Sequence, residues 1–221
     1  MGKIFVKAED IRNDSFKLTR QLLETGFIPT IIYASMRGGS NVANPMSEYF
    51  KYLGLKVRYG TVIVSSYNDV WTHNKVVNIE GWTPSLSTIK PNEKIVIAED
   101  MFDTGNTISA ILNEILSKTK VKRDQIRIVV RDYKVYIYNQ EPKIKPDFYA
   151  AEYIINSPPK KVWTHYDSHE LVGLNKKEII KHYGLNVAKS IELDISKIKK
   201  SCDKKIYEEI KSRLLEQGFD V

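Results

Sequence analysis

Apolar residues recur at helical spacing over residues 8–25, where Ile11, Leu18 and Leu22 share a face and Gly26 supplies a stop. The run Thr30-Ile31-Ile32-Tyr33-Ala34 that follows has the β-branched composition of a short buried strand. A second helix is expected over Ala43–Leu53, closed by Gly54, and a second strand over Lys56–Ser66, which carries Val57, Thr61, Val62, Ile63 and Val64. Tyr67–Pro91 shows no convincing period. With Asn68-Asp69, Gly81 and Pro84 it reads as a long loop, and an unstructured connection beyond about 12–15 residues in a compact domain is usually functional or disordered. Lys94–Ala98 is a third strand. Gly105–Lys118 is a helix with Ile108, Ile111, Leu112 and Ile115 on its apolar face, and Gln125–Val130 is a fourth strand.

This order of strands and helices implies an α/β fold, a mostly parallel sheet flanked by helices. Ligands in such sheets bind beyond the carboxyl ends of the strands. The turn Ser35-Met36-Arg37-Gly38-Gly39, the 67–91 loop and the acidic segment after Ala98 all fall at that edge. The character changes after Pro146, where Phe148, Tyr149, Tyr153, Trp163, His165 and Tyr166 gather. Residues 175–221 read as two further helices, one capped by Asn175 with Glu178 and ending at Gly184, the other opened by Asp203 and stopped by Gly218. The apolar residues Ile179, Ile180, Ile206, Ile210 and Leu214 on these helices call for burial. The expected divisions are a core over residues 1–145, an aromatic segment over 146–174 and a helical extension over 175–221.

Composition narrows the class. The 221 residues are 42% hydrophobic and 28% charged, which suits a folded globular chain. The single cysteine, Cys202, excludes a disulfide framework and a cysteine-based zinc site, and His73, His165, His169 and His182 lack metal-binding spacing. No apolar run approaches the roughly 20 residues of a membrane helix, and the N-terminus lacks a signal-peptide core. The expectation is a cytoplasmic protein without a membrane partner. Lys plus Arg exceed Asp plus Glu by 34 − 27 = 7. The lysines are spread along the chain, which favours a solvated surface over a nucleic-acid partner.

The chemistry concentrates in Ile95-Val96-Ile97-Ala98-Glu99-Asp100-Met101-Phe102-Asp103-Thr104-Gly105-Asn106-Thr107. An apolar strand runs into three carboxylates and then into a Thr-Gly-Asn-Thr turn that opens a helix. Backbone N–H groups at a helix N-terminus, with two Thr hydroxyls beside them, form a cradle for a phosphate dianion. The carboxylates suit hydroxyl groups or a metal ion instead, and a sugar phosphate satisfies both demands. A capped strand–helix turn with a solvated acidic lip is the plainer alternative.

Residues 97–107 resemble the phosphoribosyl pyrophosphate (PRPP) signature of the type I phosphoribosyltransferases: an apolar strand, two acids, two variable residues, then Asp-Thr-Gly-x-Thr. Ser35-Met36-Arg37-Gly38-Gly39 resembles that family's pyrophosphate loop, and Ser65-Ser66-Tyr67 resembles a triplet of its bacterial xanthine/guanine members. The resemblance spans about residues 28–171. It implies that Glu99 and Asp100 hold the ribose 2′- and 3′-hydroxyls and, mainly through PRPP, a Mg²⁺ ion. It implies that Asp103 faces the purine N7, and that Asp103, Thr104, Gly105, Asn106 and Thr107 wrap the 5′-phosphate. Ser35 and Met36 belong to the pyrophosphate loop, whose Met36–Arg37 peptide is often cis in the family. Arg37 and Gly38 would contact pyrophosphate, which makes Arg37 and Asp103 the catalytic candidates. The 67–91 segment would be a lid, 146–174 a hood over the base, and the protein a homodimer.

For the base, Ile128-Val129-Val130-Arg131-Asp132-Tyr133-Lys134 resembles the strand of 6-oxopurine enzymes in which a lysine donates to O6. Val162-Trp163-Thr164 resembles their hood, with Trp163 stacked on the purine and Thr164 beside its edge. A solvated lysine and a core tryptophan are the plainer alternatives. After Trp163 the chain reads Thr164-His165-Tyr166-Asp167, without the Pro-Trp pair of those relatives. The reading is therefore a purine phosphoribosyltransferase of nucleotide salvage, with a 6-oxopurine favoured. Adenine, an orotate- or uracil-type base, and a PRPP-sensing regulator of nucleic acid are the alternatives.

Overall fold

A computed structural model of the chain describes residues 2–67, 73–137, 144–156, 162–200 and 202–219. They fall into two compact units, one of Met1–Gly2 with Ala8–Trp163 and one of Lys3–Lys7 with Thr164–Val221.

The larger unit is built on a six-stranded sheet. Its strands are β2 (Ile31–Met36), β3 (Arg58–Tyr67), β4 (His73–Thr83), β5 (Ile95–Phe102), β6 (Ile126–Tyr136) and β7 (Phe148–Ile155), β1 (Gly2–Val6) lying outside it. Their order across the sheet is β4-β3-β2-β5-β6-β7. All neighbours run parallel except β4, which is antiparallel to β3. Ile31–Ala34 and Ile95–Ala98 are buried throughout, as central strands covered on both faces must be. Helices α1 (Ala8–Glu24) and α2 (Ser40–Tyr52) pack together, α1 against β6 and β7 and α2 against β2 and β5. Helix α3 (Asn106–Lys118) packs against β3 and β4. As its spacing requires, α3 buries Ile108, Ile111, Leu112 and Ile115, and α1 buries Ile11, Leu18 and Leu22. Two hydroxyls on the buried face of α1 are satisfied locally: Ser15 donates to the Ile11 carbonyl and Thr19 to the Ser15 carbonyl, each at 2.7 Å. The fold is the mixed α/β arrangement that the sequence implies.

The 67–91 segment departs from the expected loop. Its residues 73–83 form β4, paired with β3 in the register Thr61–Thr83, Val62–Trp82, Ile63–Gly81 and Val64–Ile79. Half-buried Val77 and Ile79 alternate with exposed Asn78 and Glu80, a period of two. The register shift between Ile63 and Val64 leaves Glu80 outside the pairing, and the polar residues and Gly81 hide the period in the sequence. Trp82 packs edge-on against Tyr33, at 4.9 Å and 89°. Asn68 and Asp69 lie outside the described residues.

Strand β1 pairs with β8 (Val162–Tyr166), and Lys3–Val6 and Thr164–Tyr166 of these strands belong to the smaller unit. Three helices follow: α4 (Lys176–Tyr183), α5 (Leu185–Ile191) and α6 (Lys204–Glu216). The Asn175–Glu178 capping box and the Asp203 cap form as expected, whereas β1, β8 and α5 are not among the elements the sequence predicts. Leu174, Ile179, Ala188 and Phe219 form its core. Phe5 lies flat on the His182 ring at 3.6 Å and 1°. Lys3 reaches Glu178 at 2.7 Å. Of the five apolar residues that called for burial, only Ile179 is fully buried. Ile180 and Ile206 remain exposed, and Ile210 and Leu214 are half-buried.

Candidate active site

Strand β2 ends at Met36, and the chain turns through Arg37, Gly38 and Gly39 into α2. The Met36–Arg37 peptide is cis. Ser35 is buried and Arg37 exposed. The turn sits against the end of the neighbouring strand β5. A Cβ on Gly38 would lie 2.2 Å from Asp100 Oδ2, and one on Gly39 would lie 2.4 Å from the backbone oxygen of Ala98 on β5, so glycine at 39 lets these two segments approach. The pyrophosphate-type loop and the acidic segment, 60 residues apart in sequence, therefore share one sheet edge.

Glu99 is 7% exposed. Its Oε1 accepts the Asp100 N–H at 3.2 Å, and Asp100 Oδ1 accepts the Met101 N–H at 3.0 Å. Burial pushes the Glu99 carboxyl well above the usual carboxylate range, and the Asp100 carboxylate beside it adds to that shift. Beyond Phe102 the chain bends through Asp103, Thr104 and Gly105 into α3. Gly105 has φ 79°, and a Cβ there would meet the Phe102 ring at 2.6 Å, so glycine is required on two counts. The first intrahelical bond runs from Ser109 N–H to the Gly105 carbonyl at 2.8 Å. Thr104 Oγ1 accepts the Asn106 N–H at 3.5 Å. Thr107 stands in the first turn, so the strand–turn–helix order expected for a phosphate cradle is present.

Strand β6 runs six residues past the expected end at Val130, to Tyr136. The extension carries Lys134 to Asp103, where Nζ lies 3.1 Å from Oδ2. The Lys134 side chain is 4% exposed and that of Asp103 13%, which excludes the solvated-surface reading of this lysine. Tyr136, two residues further along the same face, donates its hydroxyl to Asp103 Oδ1. Tyr136 is the site residue that the sequence reading missed, although the alternation Lys134-Val135-Tyr136 in a continued strand would have placed it. Arg131, three residues earlier and so on the opposite face of the strand, is occupied structurally: its guanidinium pairs with Asp14 on α1 at 3.1 Å and with Asp132.

Ser35, Met36, Arg37, Gly38, Glu99, Asp100, Asp103, Thr104, Gly105, Asn106, Thr107 and Lys134 thus all lie at or just beyond the carboxyl ends of β2, β5 and β6. Trp163 and Thr164 do not belong to that sheet. They lie on β8, Trp163 half-buried and Thr164 buried. Ser65, Ser66 and Tyr67 close β3, and their side chains lie outside the described residues.

The model of the phosphoribosyl transferase domain matches residues 7–165, well over half of the chain. The chain belongs to the phosphoribosyl transferase domain family. A purine phosphoribosyltransferase from Pyrococcus horikoshii superposes with TM-score 0.51 at 21% identity, covering 75% of this chain and 93% of that one. A protein from Neisseria gonorrhoeae solved with bound ppGpp superposes with TM-score 0.56 at 16% identity, covering 86% and 97%. At these identities both show the fold. The bifunctional protein PyrR of Syntrophobacter fumaroxidans is 25% identical over 132 residues, 58% of this chain and 70% of that protein.

Within this phosphoribosyl transferase domain the raised Glu99 carboxyl has a measurable consequence. A carboxyl that holds its proton more tightly folded than unfolded stabilises the protein at low pH. That contribution is lost as pH rises from the ordinary value of 4.5 through the raised one. Glu99→Gln lacks the ionisation, so its unfolding midpoint should gain on the wild type as pH rises across that window. Parallel midpoint–pH curves would show that Glu99 ionises normally.

Proposed function

We propose that the protein transfers the phosphoribosyl group of PRPP to a 6-oxopurine, forming a purine nucleoside 5′-monophosphate and pyrophosphate. The observation that carries this reading is the buried Lys134–Asp103 pair. It presents an N–H donor and a carboxylate acceptor side by side at the strand ends. A 6-oxopurine in its N7–H tautomer offers the complement, the O6 acceptor next to the N7–H donor. Adenine would set its amino donor against the lysine, donor against donor.

The same tautomer leaves N9 with a free lone pair. The N9–C1′ bond forms as the C1′–O bond breaks, pyrophosphate departs with the electron pair, and the N7 proton passes to Asp103. The exposed Arg37 and the turn N–H groups meet the leaving pyrophosphate, and the α3 N-terminus with Thr104 and Thr107 holds the 5′-phosphate. Glu99 and Asp100 face the ribose hydroxyls. Trp163 and Thr164 are assigned to the hood that covers the base, and the protein to a homodimer.

Among the described residues no three His, Cys, Asp or Glu side chains are grouped to hold a metal. A hard cation is therefore best carried in by its substrate. The Glu99 and Asp100 carboxyl oxygens would hold Mg²⁺ arriving with PRPP, which would supply neutralisation of charge on the leaving group. No helix among the described residues is long and apolar enough to cross a membrane.

Uracil is the second reading, because its N3–H and O4 also form an adjacent donor and acceptor. Its nucleophilic N1 would then keep a proton with no carboxylate beside it. Hypoxanthine, guanine, xanthine, adenine and uracil, each incubated with PRPP and Mg²⁺, test the assignment by ultraviolet spectroscopy. Conversion of 6-oxopurines ahead of the others is expected, and a preference for adenine or uracil would overturn it.

A further inference from the structure

We infer that Tyr136 is a positioning residue for the phosphoribosyl transfer proposed above, fixing the plane of the Asp103 carboxylate against which the base must dock. The inference rests on that proposed function and extends it to a side chain outside the PRPP signature. Asp103 belongs to the bend between β5 and α3, so neither strand pairing nor a helix holds its side chain in place. The terminal torsion of an aspartate is a broad, two-fold rotor. Each of its oxygens nevertheless has its own donor from one strand: Lys134 Nζ on Oδ2 at 3.1 Å and the Tyr136 hydroxyl on Oδ1. Residues 134 and 136 point to the same side of β6 because strand side chains alternate. One strand therefore grips both ends of the carboxylate.

The two grips differ in stiffness. Lysine reaches through a four-carbon chain with an ammonium that rotates among its donors. Tyrosine has two side-chain torsions ahead of a rigid ring. Lys134 is also the group that must turn part of its hydrogen bonding to the base oxygen. Tyr136 has no such second duty toward the base, so it supplies the constant half of the clamp. Its effect is the same for every purine, because N7 is common to all of them, whereas the effect of Lys134 depends on the 6-substituent.

The test is Tyr136→Phe, which removes one oxygen and keeps the ring. The expected result is a fall in kcat on the order of 10–100-fold, the scale of one hydrogen bond to a charged group. It should be equal for hypoxanthine and guanine, with KM for PRPP within about twofold when measured below the variant's own unfolding midpoint. Because Tyr136 acts through Asp103, the Asp103→Asn, Tyr136→Phe double variant should be no slower than Asp103→Asn alone. Wild-type kcat in Tyr136→Phe, or losses that multiply in the double variant, would overturn the inference. Should the wild type convert no base at all, the transfer reading falls separately. Crystal structures of the wild type and Tyr136→Phe then decide the positioning role: a rotated or divided Asp103 carboxylate supports it, and an unmoved one overturns it.

Discussion

Asp103→Asn is expected to lower kcat by about 10²–10⁴, the range for a positioned acid–base group, while KM for PRPP changes far less. The amide keeps the size of the carboxylate and so preserves the bend into α3. It cannot take the N7 proton, and its NH₂ group turns a donor toward either Lys134 or Tyr136, both of which are donors in the native site. Because Lys134 is only 4% exposed, removing its counter-charge also costs stability, on the order of 3–5 kcal/mol for a buried ion pair broken on one side. Kinetics should therefore be read below the variant's own unfolding midpoint. Equal losses in kcat and in PRPP affinity would make Asp103 a structural cap of the turn.

Lys134→Met is expected to weaken kcat/KM for hypoxanthine and guanine by about 1.5–3 kcal/mol, the value of a hydrogen bond with a charged partner. It should narrow or erase the preference over adenine. Methionine retains most of the apolar stem at this buried position, so the loss reports the ammonium group. Two effects are combined, since the same nitrogen also holds Asp103. Adenine turnover should drop somewhat through the displaced carboxylate, and the 6-oxopurines should drop further through the missing donor. An equal loss on every base would confine Lys134 to orienting Asp103.

Much of the fold was legible because its signals are local. The buried runs at residues 31–34 and 95–98 contain little but β-branched and small apolar residues, and the spacing of Ile108, Ile111, Leu112 and Ile115 leaves only a helix. The PRPP-type segment was legible for the same reason: strand, acids, Thr-Gly turn and helix are contiguous. Strand β4 was not legible, because its register shift drops Glu80 from the pairing and Asn78 and Gly81 dilute its period. Strand β1 was hidden because five residues carry too little pattern by themselves and its partner β8 lies some 160 positions away in the chain. The Lys134–Asp103–Tyr136 cluster joins strand β6 to the bend that follows β5. Sequence singled out Lys134 and Asp103 individually, but the pairing depends on β6 continuing to Tyr136, and the polar pair Arg131-Asp132 masks that continuation. Both of those charges are buried and satisfied, by Asp14 and by each other.

The measurement that bears most directly on the central claim compares guanine with 7-deazaguanine in one PRPP- and Mg²⁺-dependent assay of nucleotide formation. The analogue keeps O6 for Lys134 and the N9 position for the ribose but replaces N7 with carbon, leaving Asp103 nothing to accept. The account predicts that guanine is converted to its 5′-monophosphate with release of pyrophosphate, and that 7-deazaguanine is slower by about 10²-fold or more. Equal rates on the two bases, or no conversion of guanine, would contradict it.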